Sequence, residues 1–273
     1  MLADLHTHSR ASDGALPPDE VLALADSAGV ELLSITDHDT VAAYRDKKLQ
    51  GNSRLTLIPG IELSSVWNNN GIHVVGLNIA PDDPTLLAGV ESQLRSRSNR
   101  AEMIATRLEK LGFCGALKGA REFAGEAPLG RPHFAAWLVE SGHISDEKTA
   151  FKKHLGQGKS CDIRTEWPAM KAVIEWIVAA GGVAVLAHPA KYKFTNRKLE
   201  ALVSAFAADG GRGIEVVCGK QPERTTQQLA RLAARHRLLA SCGSDFHRPG
   251  QHWAEPGNFP ALPAGCKPVW EHW

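Results

Sequence analysis

The chain has 273 residues, with 31 Lys+Arg against 30 Asp+Glu and a net charge of +1. That balance excludes a protein coated in positive charge for duplex DNA, although it leaves room for a local basic patch. The five cysteines are odd in number, scattered and without a C-x-x-C pair, which argues against a disulfide scaffold or a thiolate zinc site and favours a reducing cytosol.

In chain order, short apolar runs alternate with helical patterns. "MLADLHTH" reads as a strand, and "PPDEVLALADSAGV" as a helix opened by proline and stopped by Gly29. "ELLSITDHD", "LTLIPGIEL" and "GIHVVGLNI" read as further strands, followed much later by "GGVAVLAHP", "GIEVVCG" and "LLASCGSDFH". Helical patterns stand between the later strands, in "WPAMKAVIEWIVAAGG", "NRKLEALVSAFAADGG" and "PERTTQQLARLAARHR". Such alternation predicts a parallel sheet with helices outside. Seven strands without a G-x-G-x-x-G turn fit a closed or nearly closed βα barrel better than a dinucleotide-binding sheet.

The alternation breaks in the middle, where residues 84–165 are helical or loop-like. This stretch reads as a helical insertion between barrel parts 1–83 and 166–273, facing the substrate. No basic-then-apolar leader precedes Leu2, and no run approaches the roughly 20 apolar residues of a membrane span. A soluble, cytoplasmic protein that engages no membrane is expected.

The residues that end the strands carry the chemistry. His6 and His8 lie two apart on a strand and so share a face. Asp37 and His38 end the second strand, Glu62 closes "LIPGIE", and His73 lies in "GIHVVG". His188 follows "VAVLA", Asp245 and His247 follow "LLASCGS", and Asp13 sits in the first loop. In a parallel barrel these ends converge on one rim, where barrel active sites are built. Imidazoles and carboxylates without thiols suit manganese, zinc or iron, and so many donors suit two or three ions. Alone, an H-x-H pair proves little, His73 reads as a core histidine and Asp245 as a helix cap. Jointly, so many buried polar groups would be costly without metal to pair them. Glu215, in mid-strand, reads as a structural salt bridge, and Asp4 has no assigned role.

"DLHTHSRASDG", "SITDHDT", "PGIELS", "GIHVVG", "AHP" and "GSDFH" resemble, in that order, the motifs of the polymerase and histidinol phosphatase (PHP) family. The resemblance implies a distorted (β/α)7 TIM-like barrel and phosphoester hydrolysis with two or three divalent ions, manganese foremost. It places His6, His8, Glu62 and Asp245 around one ion, with Glu62 bridging to a second held by His73 and His188. Asp13, His38 and His247 hold a third ion or contact the phosphate directly, which makes them the catalytic candidates. Asp37 or Asp39 is an expected orienter of ligating histidines. The insertion motifs "SNRAEMI" and "GRPHFA" and the tail after "GSDFH" look like the bacterial branch of nucleoside 3′,5′-bisphosphate phosphatases and 5′→3′ exoribonucleases.

The expected reaction is removal of the 3′-phosphate from a nucleoside 3′,5′-bisphosphate by hydroxide that the ions make available near neutral pH. His247 or His38 would protonate the leaving alkoxide. Between Ser92 and Arg131 stand eight Lys/Arg against four Asp/Glu. Arg100 and Arg131 are the expected grip on a second phosphate, with Asn99 and His133 beside them. Arg95, Arg107 and Lys110 read as a solvated helix face, and the "KYKFTNRK" cluster has no settled role. Aromatic residues, 6% of the chain, form no stacking ladder for long single strands. Trp137, Trp167 and Trp176 occupy helical apolar positions and read as core. A mononucleotide-sized substrate is therefore favoured over its alternative, a 5′→3′ exonuclease on short 5′-phosphorylated RNA or DNA. A histidinol-phosphate-type phosphatase or a non-catalytic PHP module is the remaining reading. Metal identity and oligomeric state stay open.

Overall fold

The computed structural model describes residues 1–45, 49–163 and 166–273. Strands β1 (Ala3–Thr7) and β2 (Leu32–Ile35) are buried at every position, as befits parallel strands covered on both faces. The short β3 (Thr56–Leu57) completes a parallel sheet in the order β1-β2-β3. A second sheet takes β4 (Gly60–Trp67), β5 (Asn70–Leu77), β6 (Val183–Leu186), β7 (Gly213–Cys218) and β8 (Leu239–Gly243) in chain order.

Two features correct the expected parallel seven-stranded barrel. First, β5 runs antiparallel to both β4 and β6. Asn68 and Asn69, with φ of 45° and 58°, make the tight hairpin turn between β4 and β5, in a left-handed conformation that asparagine tolerates. No crossover helix intervenes, so the direction reverses. Second, Pro59 divides "LTLIPGIEL" into β3 and β4, and the eight strands among the described residues form two mixed or parallel sheets with no closed barrel. Isolated parallel bridges, Thr7 to Phe246 and His38 to Glu62, join the sheets at the level of the candidate ligands. Gly243 allows the approach of β8 to β1, since a Cβ there would stand 2.4 Å from the His6 Cβ.

Helices α1 (Pro18–Ser27), α6 (Met170–Ala179), α7 (Asn196–Ala208) and α8 (Glu223–His236) follow the expected patterns. Between the halves of the sheet region lie α2 (Pro84–Lys110), α3 (Ala116–Ala124), α4 (Arg131–Glu140) and α5 (Glu147–Ala150), the last continuing into a wider turn over Phe151–Leu155. The expected boundary of the insertion at Thr165 lies outside the described residues. The Asp83 carboxylate caps α2 by accepting the Leu86 N–H at 2.9 Å.

The helical stretch has an apolar core of its own, with Ile104, Leu108, Phe134, Trp137, Leu138 and Leu155 buried together. Helix α2 belongs to both cores: Leu86 and Val90 pack with the second sheet, while Ala101, Ile104 and Leu108 pack with α3 and α4. Trp137 is core as expected, and Trp176 packs half-buried on the sheet core. Trp167 departs from its expected helical place and lies half-buried in a bend before α6. All five cysteines are unpaired, and among the described residues no helix is long and apolar enough to cross a membrane.

Candidate metal centre

The strand ends deliver the expected side chains to one place. β1 brings His6, and the chain beyond it brings His8 and Asp13. The ends of β2, β6 and β8 lead into His38, His188, and Asp245 with His247. Glu62 on β4 and His73 on the neighbouring β5 complete the set. His6, His8 and Glu62 have no exposed surface. His188 and Asp245 adopt positive φ, 27° and 55°, a conformation costly for non-glycine residues that surrounding structure must impose.

Glu62 is the hub. Its Oε1 lies 2.9 Å from both His73 Nδ1 and His188 Nε2. Its Oε2 lies 3.3 Å from His6 Nε2 and 3.4 Å from His8 Nε2. Asp245 Oδ1 stands 3.2 Å from His8 Nε2 and 3.5 Å from His6 Nε2, which closes the group expected around one ion. Asp13 reaches His247 Nε2 at 3.5 Å and His38 Nε2 at 3.8 Å. Four overlapping groups have their donor atoms within 4.8 Å of one another: His8 with Asp13, His38 and His247; His6 with Glu62 and His188; His6 with His8 and Asp245; and His38 with Glu62 and His73.

A divalent ion fits these residues on two grounds. The donors are imidazole and carboxylate without thiol. In addition, buried His8 Nδ1, His38 Nδ1, His188 Nδ1 and Glu62 Oε2 have no hydrogen-bond partner. His38 Nδ1 comes within 2.9 Å of Glu62 Oε2 without the alignment of a hydrogen bond. Unsatisfied buried polar atoms on this scale need a partner. Burial, then the neighbouring His247 and His38, push His8 down to about 3, which favours the neutral form that a metal ligand requires. Burial opposes charge on His38, yet the Glu62 and Asp13 carboxylates outweigh it and raise His38 to about 9. Burial likewise opposes charge on Glu62, while His38, His6 and His73 hold it well below the carboxylate range.

The groups behind these side chains revise two expectations and give Asp4 a part. Glu215 is more than a structural salt bridge: its Oε1 takes His6 Nδ1 at 2.7 Å and its Oε2 accepts the His188 N–H. His6 Nε2 is thereby left for the cluster. Asp37 orients no histidine. Its carboxylate accepts the Ser9 N–H at 2.8 Å and the Ser9 and Ser12 hydroxyls at 2.6 Å each, which ties down the loop carrying Asp13. Asp4 accepts the Ser244 N–H at 2.8 Å and the Gly257 N–H at 3.1 Å, and so fixes the chain on either side of Asp245 and His247. Burial pushes both Asp4 and Asp37 up to about 6. In the sequence, "GIEVV" shows a carboxylate on an apolar strand that needs some partner, but not which one.

Beside the cluster, α2 turns Gln93, Arg97 and Arg100 inward, at four- and three-residue spacing on one buried face. Arg97 pairs with Asp39 Oδ2 through Nε and a terminal nitrogen, each at 2.7 Å. Arg100 donates to the Ile163 carbonyl at 2.8 Å and lies 5.1 Å from the Trp167 ring centre, with Arg97 at 5.5 Å. Arg131 donates to the Leu155 carbonyl at 3.1 Å and lies 3.7 Å from Asp162. Burial, then the Arg131 and Arg97 charges, hold Arg100 well below the usual arginine value. Arg97 and Arg131 thus stand close to Arg100, each with a carboxylate of its own, Asp39 and Asp162. His133 accepts the Gly130 N–H at 3.0 Å, and burial lowers it although Asp13 acts in the other direction. Asn99 is exposed, pairs with Glu166 at 3.4 Å and is not brought to this face. Sequence reasoning singled out neither Arg97 nor Asp39 as a pair, since 58 residues separate them.

A buried hub carboxylate ringed by imidazoles makes a cluster of the kind that could hold divalent metal ions. No family model matches the chain. It is similar to the 5′-3′ exoribonuclease Rnm of Escherichia coli, 43% identical over 277 residues that cover 100% of this chain and 94% of the relative. It is also similar to the 3′,5′-nucleoside bisphosphate phosphatase of Chromobacterium violaceum, 39% identical over 269 residues, 98% of this chain and 94% of the relative. Among solved structures, an amidohydrolase from Chromobacterium violaceum with bound sulfate and no metal superposes with a TM-score of 0.91 at 38% identity, covering 99% of this chain and 95% of that one. The chain belongs to the family of these bacterial bisphosphate phosphatases and exoribonucleases.

Proposed function

We propose that this protein hydrolyses the 3′-phosphate of nucleoside 3′,5′-bisphosphates, such as adenosine 3′,5′-bisphosphate, to give the 5′-monophosphate and inorganic phosphate. The observation that carries the reading is the convergence of His6, His8, His38, His73 and His188 on Glu62, in a chain 39% identical to a relative named for that activity. His6, His8, Glu62 and Asp245 would hold one divalent ion, and Glu62, His73 and His188 a second. Asp13, His38 and His247 would hold a third or meet the phosphate directly. Manganese is the metal we favour, ahead of zinc or iron. When bound, such ions supply Lewis acidity and lower the pKa of a bound water toward ~7.

The chain's own residues do the rest. Glu215 holds His6 with Nε2 inward, and Asp37 holds the loop of Asp13. His247 or His38 carries a proton for the leaving alkoxide. Arg100 and Arg131 grip the 5′-phosphate, with His133 beside them, and the exposure of Asn99 speaks against a fourth contact there. We read the two sheets as arcs of a distorted barrel interrupted by residues 84–165, a division that the separate helical core and the two parallel bridges support. The unpaired cysteines support a cytoplasmic location.

A second reading, 5′→3′ exonuclease action on short 5′-phosphorylated RNA, is favoured by the 43% identity to the E. coli exoribonuclease. It uses the same grip and cleaves a diester at the same cluster. The two readings separate when phosphate release from the bisphosphate is compared with nucleotide release from a 5′-phosphorylated trinucleotide, both with manganese. Turnover of neither substrate would refute the enzymatic reading.

A further inference from the structure

One cation at the cluster has no part in the scheme above. Lys191 lies on the short turn Pro189–Tyr192 directly after His188, and its Nζ makes an ion pair with Asp245 Oδ2. The other Asp245 oxygen faces His6 and His8. The turn is fixed at its root. The Lys191 N–H bonds the His188 carbonyl at 2.9 Å, while the Tyr192 hydroxyl accepts the His73 N–H and donates to the Ala187 carbonyl, both at 2.9 Å. The stem is not fixed in the same way, since the side chain is 53% exposed. The ammonium therefore stands between the His188 and Asp245 sides of the cluster, on a flexible arm with a rigid base.

A positive charge in that place repels a divalent ion at the adjoining donors, so its favourable partner there is an anion. Lysine suits the task, because it is a point charge with rotatable donors and can leave one carboxylate oxygen for another acceptor. Glu215 and Cys218 are the other groups near it. We propose that Lys191 binds the scissile phosphate, exchanging its contact with Asp245 for a nonbridging phosphate oxygen. It would be a phosphate-binding residue distinct from Arg100 on α2 and Arg131 on α4. The proposal rests on the phosphoesterase reading of the cluster.

The test uses the manganese-loaded protein and inorganic phosphate, with binding measured by calorimetry and metal content measured separately. Lys191→Met is expected to keep its manganese, to bind phosphate about tenfold more weakly and to raise KM more than it lowers kcat. Lys191→Arg should recover part of the phosphate affinity. Unchanged phosphate affinity in Lys191→Met would overturn the proposal. So would loss of manganese from that variant, because Lys191 would then serve only to hold Asp245. Wild-type protein that takes up manganese yet binds no phosphate and cleaves no phosphate ester would refute the phosphoesterase reading itself, and the role of Lys191 with it.

Discussion

The strand-end cluster and the inner face of α2 both bury charge, but they satisfy it differently. In the cluster, His8, His38, His188 and Glu62 keep atoms with no protein partner. On α2, Arg97 is matched by Asp39, and Arg100 by the Ile163 carbonyl. Groups with unmatched atoms await something brought from outside, whereas matched groups hold the scaffold together. Substitutions at the cluster and at the Arg97–Asp39 pair should therefore fail differently, the first by losing chemistry and the second by losing stability.

The sharpest way to break this comparison is Glu62→Gln. It should lower activity on the order of a thousandfold and reduce bound manganese, while circular dichroism stays native. Chelation of the wild type should do the same, reversed by added manganese. Unfolding of Glu62→Gln would show that the cluster is scaffold after all. Asp39→Asn tests the other side: it tolerates the positive φ of 54° but leaves Arg97 buried beside a neutral partner. Urea denaturation should show a loss of about 3 kcal/mol, the scale for breaking a buried pair. A stable but inactive Asp39→Asn would move Arg97 into the chemistry. Glu215→Gln should weaken manganese binding about tenfold or more, through His6, with little change in the urea midpoint. Arg131→Ala is the smallest effect, with KM for the bisphosphate rising about tenfold and kcat nearly constant. An unchanged KM would remove Arg131 from the grip.

The cluster was largely legible in the sequence, because its ligand candidates lie in, at the end of or just after apolar strands, apart from Asp13 in the first loop. His6 and His8 are the plainest case. Side chains whose partners lie far along the chain were not legible. Glu215 meets His6 across 209 residues, and Lys191 meets Asp245 across 54. Nothing local announces such pairs. The reversal of β5 was written in "WNNNGIH", but a regular strand–helix reading passes over a hairpin turn of asparagines. Asn99 shows the opposite case. It lies beside Arg100 in the sequence, and helical geometry turns it the other way.

Helix α2 holds a further consequence. Its 27 residues span about 40 Å as one rod. One end is embedded in the sheet core and the other in the helical core, with the arginines between. The separation of Arg100 from the cluster is thus set like the jaws of a caliper. Opening the gap would require unpacking one core or breaking the rod, so on the proposed reading the span between its two phosphates would gauge a substrate before any chemistry begins.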